Sequence, residues 1–377
     1  VNNLPIKTRE MFSHHLDSTI WNDFEFRNDD IVISTYGKSG TTWMQQIIAQ
    51  LLFGGNPNLE VAEMSPWMDL RIPPKEIKLQ LVAAQTHRRF LKTHLPVDAL
   101  RFSNKAKYIY IGRDARDVIW SMYNHHVNAN QIWYDALNKT PGLVGPEIEK
   151  PSEDIKEYWN EWLQKDGFPF WPFWENVRSW WKTRDLPNVK LIHFSDLKKD
   201  LPTEIRHIAA FLEIDINDQD WPKILEYCSF EWMKNNATKS VPLGGAFWDD
   251  GAKVFINKGV NGRWADTLSD ADSRNMKNKL NWNLEKNVPT GLNQVISDFA
   301  DNLNWISLNS ILVKKNDYRC SNQRSLFELI IVCLTVRLFA IDILLYFGIL
   351  MFVLFGEKYV QRPFYQCGIG SNCPRLA

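Results

Sequence analysis

The sequence predicts an α/β fold, a central parallel sheet flanked by helices, because short apolar runs end in tight turns and each turn leads into residues at helical spacing. The first run, Asp30-Ile31-Val32-Ile33-Ser34-Thr35, stops at Tyr36-Gly37, and Trp43, Ile47, Ile48, Leu51 and Leu52 then recur on one helical face. The same order returns at Lys107 to Ile111, followed by a helical stretch from Asp114 to Asn124. It returns again at Val189 to Phe194, followed by Ile205, Ile208, Ala209 and Leu212. Strands alternating with amphipathic helices indicate a parallel sheet covered on both faces. In such sheets ligands bind at the carboxyl ends of the strands, so the turns leaving these runs are where function is expected.

Composition narrows the function classes. Of 377 residues, 45% are hydrophobic, and 44 Lys and Arg balance 44 Asp and Glu, which excludes a basic nucleic-acid binder and an acidic tail protein. The 17 Trp and 21 Phe exceed what a core of this size needs, so an aromatic ligand pocket is expected. Cys228 stands alone before a tail that holds Cys320, Cys333, Cys367 and Cys373, a distribution that argues for a reduced interior rather than a disulfide framework. Val1 to Arg9 carry no export signal, and the expected location is cytoplasmic.

Three loop-rich stretches, Pro57 to Pro74, Gln131 to Ser152 and Ser240 to Asn261, read as lids or pocket walls. The aromatic cluster from Gly167 to Trp174 suits either a helix start stapled into the core or a pocket lining. Residues 1–295 form the expected catalytic domain, 296–325 a polar connector and 326–377 a hydrophobic tail. Leu326 to Phe355 is long enough to span a bilayer but is interrupted by Glu328, Arg337 and Asp342, which leaves membrane contact through the tail open.

Three blocks carry chemistry. Tyr36-Gly37-Lys38-Ser39-Gly40-Thr41-Thr42-Trp43 lies between strand and helix, where glycines let the backbone bend around an anion and Lys38 adds a full charge. It lacks the leading glycine of a Walker A loop. Phe90-Leu91-Lys92-Thr93-His94-Leu95-Pro96 places Lys92 and His94 two apart, on one face of an extended chain, so a cation and a base share one site. Arg113, at a strand end, and Ser121, in the helix that follows, suit a second phosphate.

In order along the chain stand K-S-G-T-x-W at Lys38 to Trp43, K-T-H-L-P at Lys92 to Pro96, R-D-x-x-D-V-x-x-S-x-Y at Arg113 to Tyr123 and K-G-x-x-G-x-W at Lys258 to Trp264. Over about residues 5 to 290 this set resembles the sulfotransferase family that uses 3′-phosphoadenosine-5′-phosphosulfate (PAPS), in its cytosolic-type branch. The run Trp174 to Trp181 looks more like its bacterial members.

The resemblance implies a P-loop-like sulfotransferase fold with PAPS as sulfuryl donor and no metal. It further implies that Lys38, Ser39, Gly40, Thr41 and Thr42 hold the 5′-phosphosulfate, and that Trp43, Phe194 and Phe230 lie by the nucleotide. Arg113, Ser121, Lys258 and Gly259 fall to the 3′-phosphate, with Asn257 beside them in the cofactor-binding loop, His94 to the general base, and Lys38 and Lys92 to charge stabilisation. Trp67, Phe168, Trp171, Phe247 and Trp248 lie in segments that wall the acceptor, favouring a small, flat or apolar alcohol or phenol.

Asn257 replaces the family's usual Arg before Lys-Gly, while Arg263 replaces the Asp of Gly-Asp-Trp and comes within reach as a substitute. The dimer motif survives only as Ala265-Asp266-Thr267-Leu268, without its Lys and Val, which leaves the oligomeric state open. Competing readings are a nucleotide kinase or NTPase and a membrane-anchored nucleotide-binding protein without catalysis.

Overall fold

The computed structural model describes residues 4–276; the expected connector and tail lie outside the described residues. Strands β1 (Asp30–Thr35), β2 (Phe90–Thr93), β3 (Ala106–Gly112) and β4 (Val189–His193) form a parallel sheet in the order β2-β1-β3-β4. Every residue of β1 is buried, as a strand covered on both faces requires.

The pleat sorts the two faces by side-chain type. Ile31, Ile33, Ile109 and Ile111 face one way, where Met44, Ile47 and Ile48 of helix α1 (Thr41–Leu52) complete an aliphatic layer. Val32, Tyr108 and Tyr110 face the other way, toward Trp162 and Trp180. Tyr110 stacks on Trp180 with ring centroids 5.3 Å apart and donates to Asn176 Oδ1 at 3.0 Å, so the buried hydroxyl is satisfied. Ser34 pairs with both Thr93 and Tyr110, so β1, β2 and β3 end level with one another. Tyr36, His94 and Arg113 therefore leave the sheet at the same edge.

Helix α2 (Ala115–Val127) follows β3, capped by Asp114, whose side chain accepts from the Arg116 N–H at 2.9 Å. The stretch expected as loop from Gln131 to Ser152 begins instead with a helix, α3 (Gln131–Lys139), capped by Asn130. Trp133, Tyr134 and Leu137 are its buried residues, a face too short to stand out as a period but bulky enough to hold the helix by packing. Short helical turns also interrupt the other two loops, at Val61–Met64 and Ala252–Phe255. In the aromatic cluster both readings hold: Phe173 and Trp174 enter the core at the start of helix α4 (Phe173–Trp181), while Phe170 and Trp171 line a cavity.

Cys228 is a buried free thiol. Among the described residues no helix is long and apolar enough to cross a membrane.

Candidate active site

A cavity of about 680 Å³ opens at the strand ends. The turn from β1 into α1 supplies its first wall. Gly40 sits at φ 108°, and a Cβ there would stand 2.8 Å from the Phe194 ring, so only glycine fits the bend. Gly40 at the N-cap offers no side-chain cap to α1, whose first residues Thr41, Thr42 and Trp43 border the cavity with backbone N–H groups outside the helical ladder. Trp43 is held by a bond from Nε1 to the Cys228 carbonyl at 2.8 Å and meets Phe194 edge-on at 5.5 Å.

Arg113 braces the turn. Its guanidinium donates to the Lys38 carbonyl at 2.9 Å and to Asn261 Oδ1 at 3.0 Å, and lies 4.3 Å over the Phe194 ring; among the described residues its buried Nε has no hydrogen-bond partner. The late loop closes against it, since Asp117 accepts from the Gly262 N–H at 2.8 Å and Lys198 donates to the Gly259 carbonyl at 2.8 Å. A Cβ at Gly259 would overlap the Phe230 ring. Ser121, Asn257, Lys258, Gly259 and Arg263 all border this part of the cavity.

His94 stands just past the end of β2. Its Nδ1 lies 2.7 Å from the Thr35 carbonyl, its N–H donates to Asp69 at 3.1 Å, and its carbonyl accepts from Asn176 at 3.0 Å. The ring meets Trp67 edge-on at 4.6 Å and Trp171 nearly parallel at 5.5 Å. Lys92 reaches over Trp67 at 4.6 Å, and Lys38 over Phe255 at 3.7 Å.

Burial, then Lys92 and Arg113, pull the Lys38 ammonium down to about 7. Burial pulls Lys92 to about 8 against the opposing effect of Asp69. For His94, burial and then Lys92 hold the imidazole well below its ordinary range.

The sulfotransferase domain family matches residues 28–287 of the chain. The chain belongs to the sulfotransferase family. It is an enzyme of the PAPS-dependent sulfotransferase class, with the P-loop-like sulfotransferase fold. It is 29% identical over 293 residues to a glycolipid sulfotransferase of Mycobacterium bovis, covering 70% of this chain and 88% of that relative. It is 31% identical over 259 residues to sulfotransferase 1 family member D1 of Mus musculus, covering 66% and 81%. Among solved structures it is similar to mouse sulfotransferase SULT7A1 complexed with PAP, at 23% identity and a TM-score of 0.57 over 78% of this chain and 97% of the other. Retinol dehydratase in complex with androsterone and inactive cofactor PAP aligns at 23% identity with a TM-score of 0.56, over 72% and 85%.

In this sulfotransferase the cavity gathers nearly every residue that the sequence motifs single out, with two departures. Ser39 is buried beneath the turn rather than facing the cavity. Phe168, expected in the acceptor wall, turns away to pack under the Lys165 ammonium at 4.4 Å. The chain doubles back at Gly167, where a Cβ would overlap the Trp171 carbonyl, so the inward ring positions fall to Phe170 and Trp171. Trp67, Trp171, Phe247 and Trp248 do border the cavity.

His15, Trp133 and Phe255 line it too, and no motif pointed to them. The adjacent His14-His15 pair is the one local signal for His15, and Trp133 lies on the short buried face of α3, which gives no clear period. Leu268, in the remnant of the dimer motif, packs into the core. Among the described residues no three His, Cys, Asp or Glu side chains gather as for a metal.

Proposed function

We propose that the enzyme transfers a sulfuryl group from PAPS to a hydroxyl, or an amine, of a small apolar or aromatic acceptor, with His94 as general base and Lys38 and Lys92 stabilising the developing charge. The hydrogen bond from His94 carries this reading. A carbonyl only accepts, so the contact with Thr35 puts the proton of the neutral ring on Nδ1 and leaves the Nε2 lone pair for the acceptor hydroxyl. The residue borders both the cationic turn and the aromatic chamber.

The residues fit PAPS. Burial first, and then the positive charges of Lys92 and Arg113, disfavour the Lys38 ammonium, and a bound polyanion offsets both effects. Trp43, Phe194 and Phe230 offer rings to an adenine, and Gly259 brings backbone against Phe230. Bound PAPS supplies a sulfuryl group on a phosphate leaving group, the sulfur–oxygen bond to phosphate breaking as the bond to the acceptor forms.

Around it, the N–H groups of the turn and Lys38 hold the 5′ end. Arg113, Ser121, Lys258 and Gly259 hold the 3′-phosphate. His94 Nε2 takes the acceptor's proton, and the Thr35 carbonyl orients the resulting imidazolium. In-line positioning and charge stabilisation are what such a transfer asks of a protein. Trp67, Trp171, Phe247 and Trp248, extended by Phe170 and Trp133, favour a flat apolar acceptor. Androsterone, held by retinol dehydratase, is a molecule of that kind.

The test is turnover of PAPS with a panel of phenols and sterols, beside titrations with 3′,5′-ADP (PAP), ATP and ATP with Mg²⁺. Sulfated product and a preference for PAP are expected. Tighter binding of Mg²⁺-ATP with no PAPS turnover would overturn the reading.

A further inference from the structure

Besides His94, two histidines that the proposed reaction does not use line the cavity, His15 and His125. His15 is 4% exposed and borders the cavity. Its ring stacks on Trp67 at 5.9 Å and meets Trp133 and Phe170 at 5.5 Å each. His94 touches the same Trp67, so both imidazoles address one chamber.

The neighbouring His14 decides which nitrogen of His15 carries the proton. His14 Nε2 lies 2.6 Å from the Pro169 carbonyl, which can only accept, so His14 is protonated there and its Nδ1 holds a lone pair. That lone pair faces His15 Nδ1 in a short hydrogen bond. His15 must then carry its proton on Nδ1, and its Nε2 is left as a bare acceptor. Burial holds both rings below the ordinary imidazole range, so neither takes a second proton near neutrality. The backbone is fixed as well: the Arg71 N–H donates to the His15 carbonyl at 2.6 Å and its guanidinium to the His14 carbonyl at 3.4 Å.

We propose that His15 Nε2 accepts a hydrogen bond from a second donor group of the acceptor molecule, a hydroxyl or N–H distinct from the nucleophile, so that the preferred substrates are flat bifunctional molecules such as aromatic diols or amino alcohols. This rests on the sulfotransferase reading of the cavity. A mono-hydroxy molecule of the same shape would bury Nε2 without a partner. A site built around such a hydrogen bond discriminates against the analogue that lacks it far more sharply than apolar walls discriminate by size.

The experiment compares naphthol with the isomeric dihydroxynaphthalenes on the full chain, as kcat/KM with PAPS and as affinity for the complex with PAP. We expect at least one diol to be preferred by about ten-fold or more. His15→Phe should bring that ratio to near one, and His15→Gln, which keeps an acceptor oxygen, should retain part of it. PAP affinity and melting temperature are measured on each variant, and if His15→Phe does not fold, the His15→Gln ratio decides. A wild-type enzyme indifferent to the second hydroxyl, or a preference that survives His15→Phe, overturns the inference. Failure of the underlying reading looks different, because the wild-type enzyme would then neither bind PAP nor sulfate any member of the series.

Discussion

The two ends of the cavity are built on opposite plans. The end proposed for the donor is built from short contiguous segments: the turn at Lys38 to Trp43 after β1, Arg113 after β3, and the loop at Asn257 to Gly259 after the helical turn Ala252–Phe255. At the acceptor end, His15, Trp67, Trp133, Trp171 and Trp248 come from segments far apart in the chain and meet only through packing. Where a phosphate must be met by N–H groups and fixed charges, backbone geometry is demanding and the residue types are constrained locally. Where only apolar area is needed, many residues serve, and tertiary structure does the choosing.

The largest expected effect falls where the two plans meet. His94→Ala should lower kcat by about 10²- to 10⁴-fold while the Kd for PAP stays nearly unchanged. In the wild-type enzyme, burial and Lys92 depress the imidazole, so a rate that needs the neutral ring should persist below the ordinary histidine value of ~6.5 before falling. Removing the ring also deletes the bond to Thr35 and contacts with Trp67 and Trp171, so some loss of melting temperature is expected. A variant that is destabilised but turns over normally per folded molecule would make His94 structural only.

Arg113→Ala tests the donor end. Loss of a charge-assisted contact to the 3′-phosphate, worth about 1.5 to 3 kcal/mol, should weaken PAPS or PAP by roughly ten- to a hundred-fold. Adenosine 5′-phosphosulfate, which lacks that phosphate, should lose less. Its loss should not be zero, because Arg113 also braces the Lys38 carbonyl. Equal losses for the two ligands would assign Arg113 to the turn alone.

Burial of Lys38 and Lys92, with Lys92 and Arg113 adding to the effect on Lys38, makes donor binding proton-linked. In the free enzyme burial pulls the Lys38 and Lys92 ammonium groups down to about 7 and about 8, and a bound polyanion should raise both. PAP should therefore bind without proton uptake at about pH 6 and with uptake that grows from about pH 7 to 9. Its affinity should fall over that range by up to about ten-fold per pH unit for each lysine. Calorimetry in buffers of different ionisation enthalpy reads this directly; pH-independent binding would mean that the lysines are already charged in the free enzyme.

Much of the donor end was legible in the chain because strand, glycine turn and helix N-terminus follow one another without a break, and the charged residues sit inside that pattern. At the acceptor end, Trp67, Trp171, Phe247 and Trp248 were readable only through family resemblance. Phe168 was misplaced because the doubling-back at Gly167 depends on contacts with Trp171 that no local pattern announces. His15 is not readable for a similar reason: its ring reaches the cavity by packing on Trp67, Trp133 and Phe170, all far along the chain.

The smallest effect concerns the exchange of charge in the late loop. Asn257 stands where the family pattern has an Arg, and its Oδ1 lies 3.5 Å from an Arg263 guanidinium nitrogen, at the long limit of a hydrogen bond. Both residues border the cavity beside Ser121 and Lys258. If Arg263 supplies the second cation for the 3′-phosphate, then Arg263→Ala should cost PAP affinity while sparing adenosine 5′-phosphosulfate. Asn257→Arg alone should then gain little, roughly two- to three-fold, since the new cation meets an existing one and like charges repel. In the Arg263→Ala background, however, Asn257→Arg should restore most of the loss. The double-mutant cycle isolates that coupling. A gain from Asn257→Arg that is the same with and without Arg263 would show that the two positions act independently and that Arg263 never replaced the missing charge.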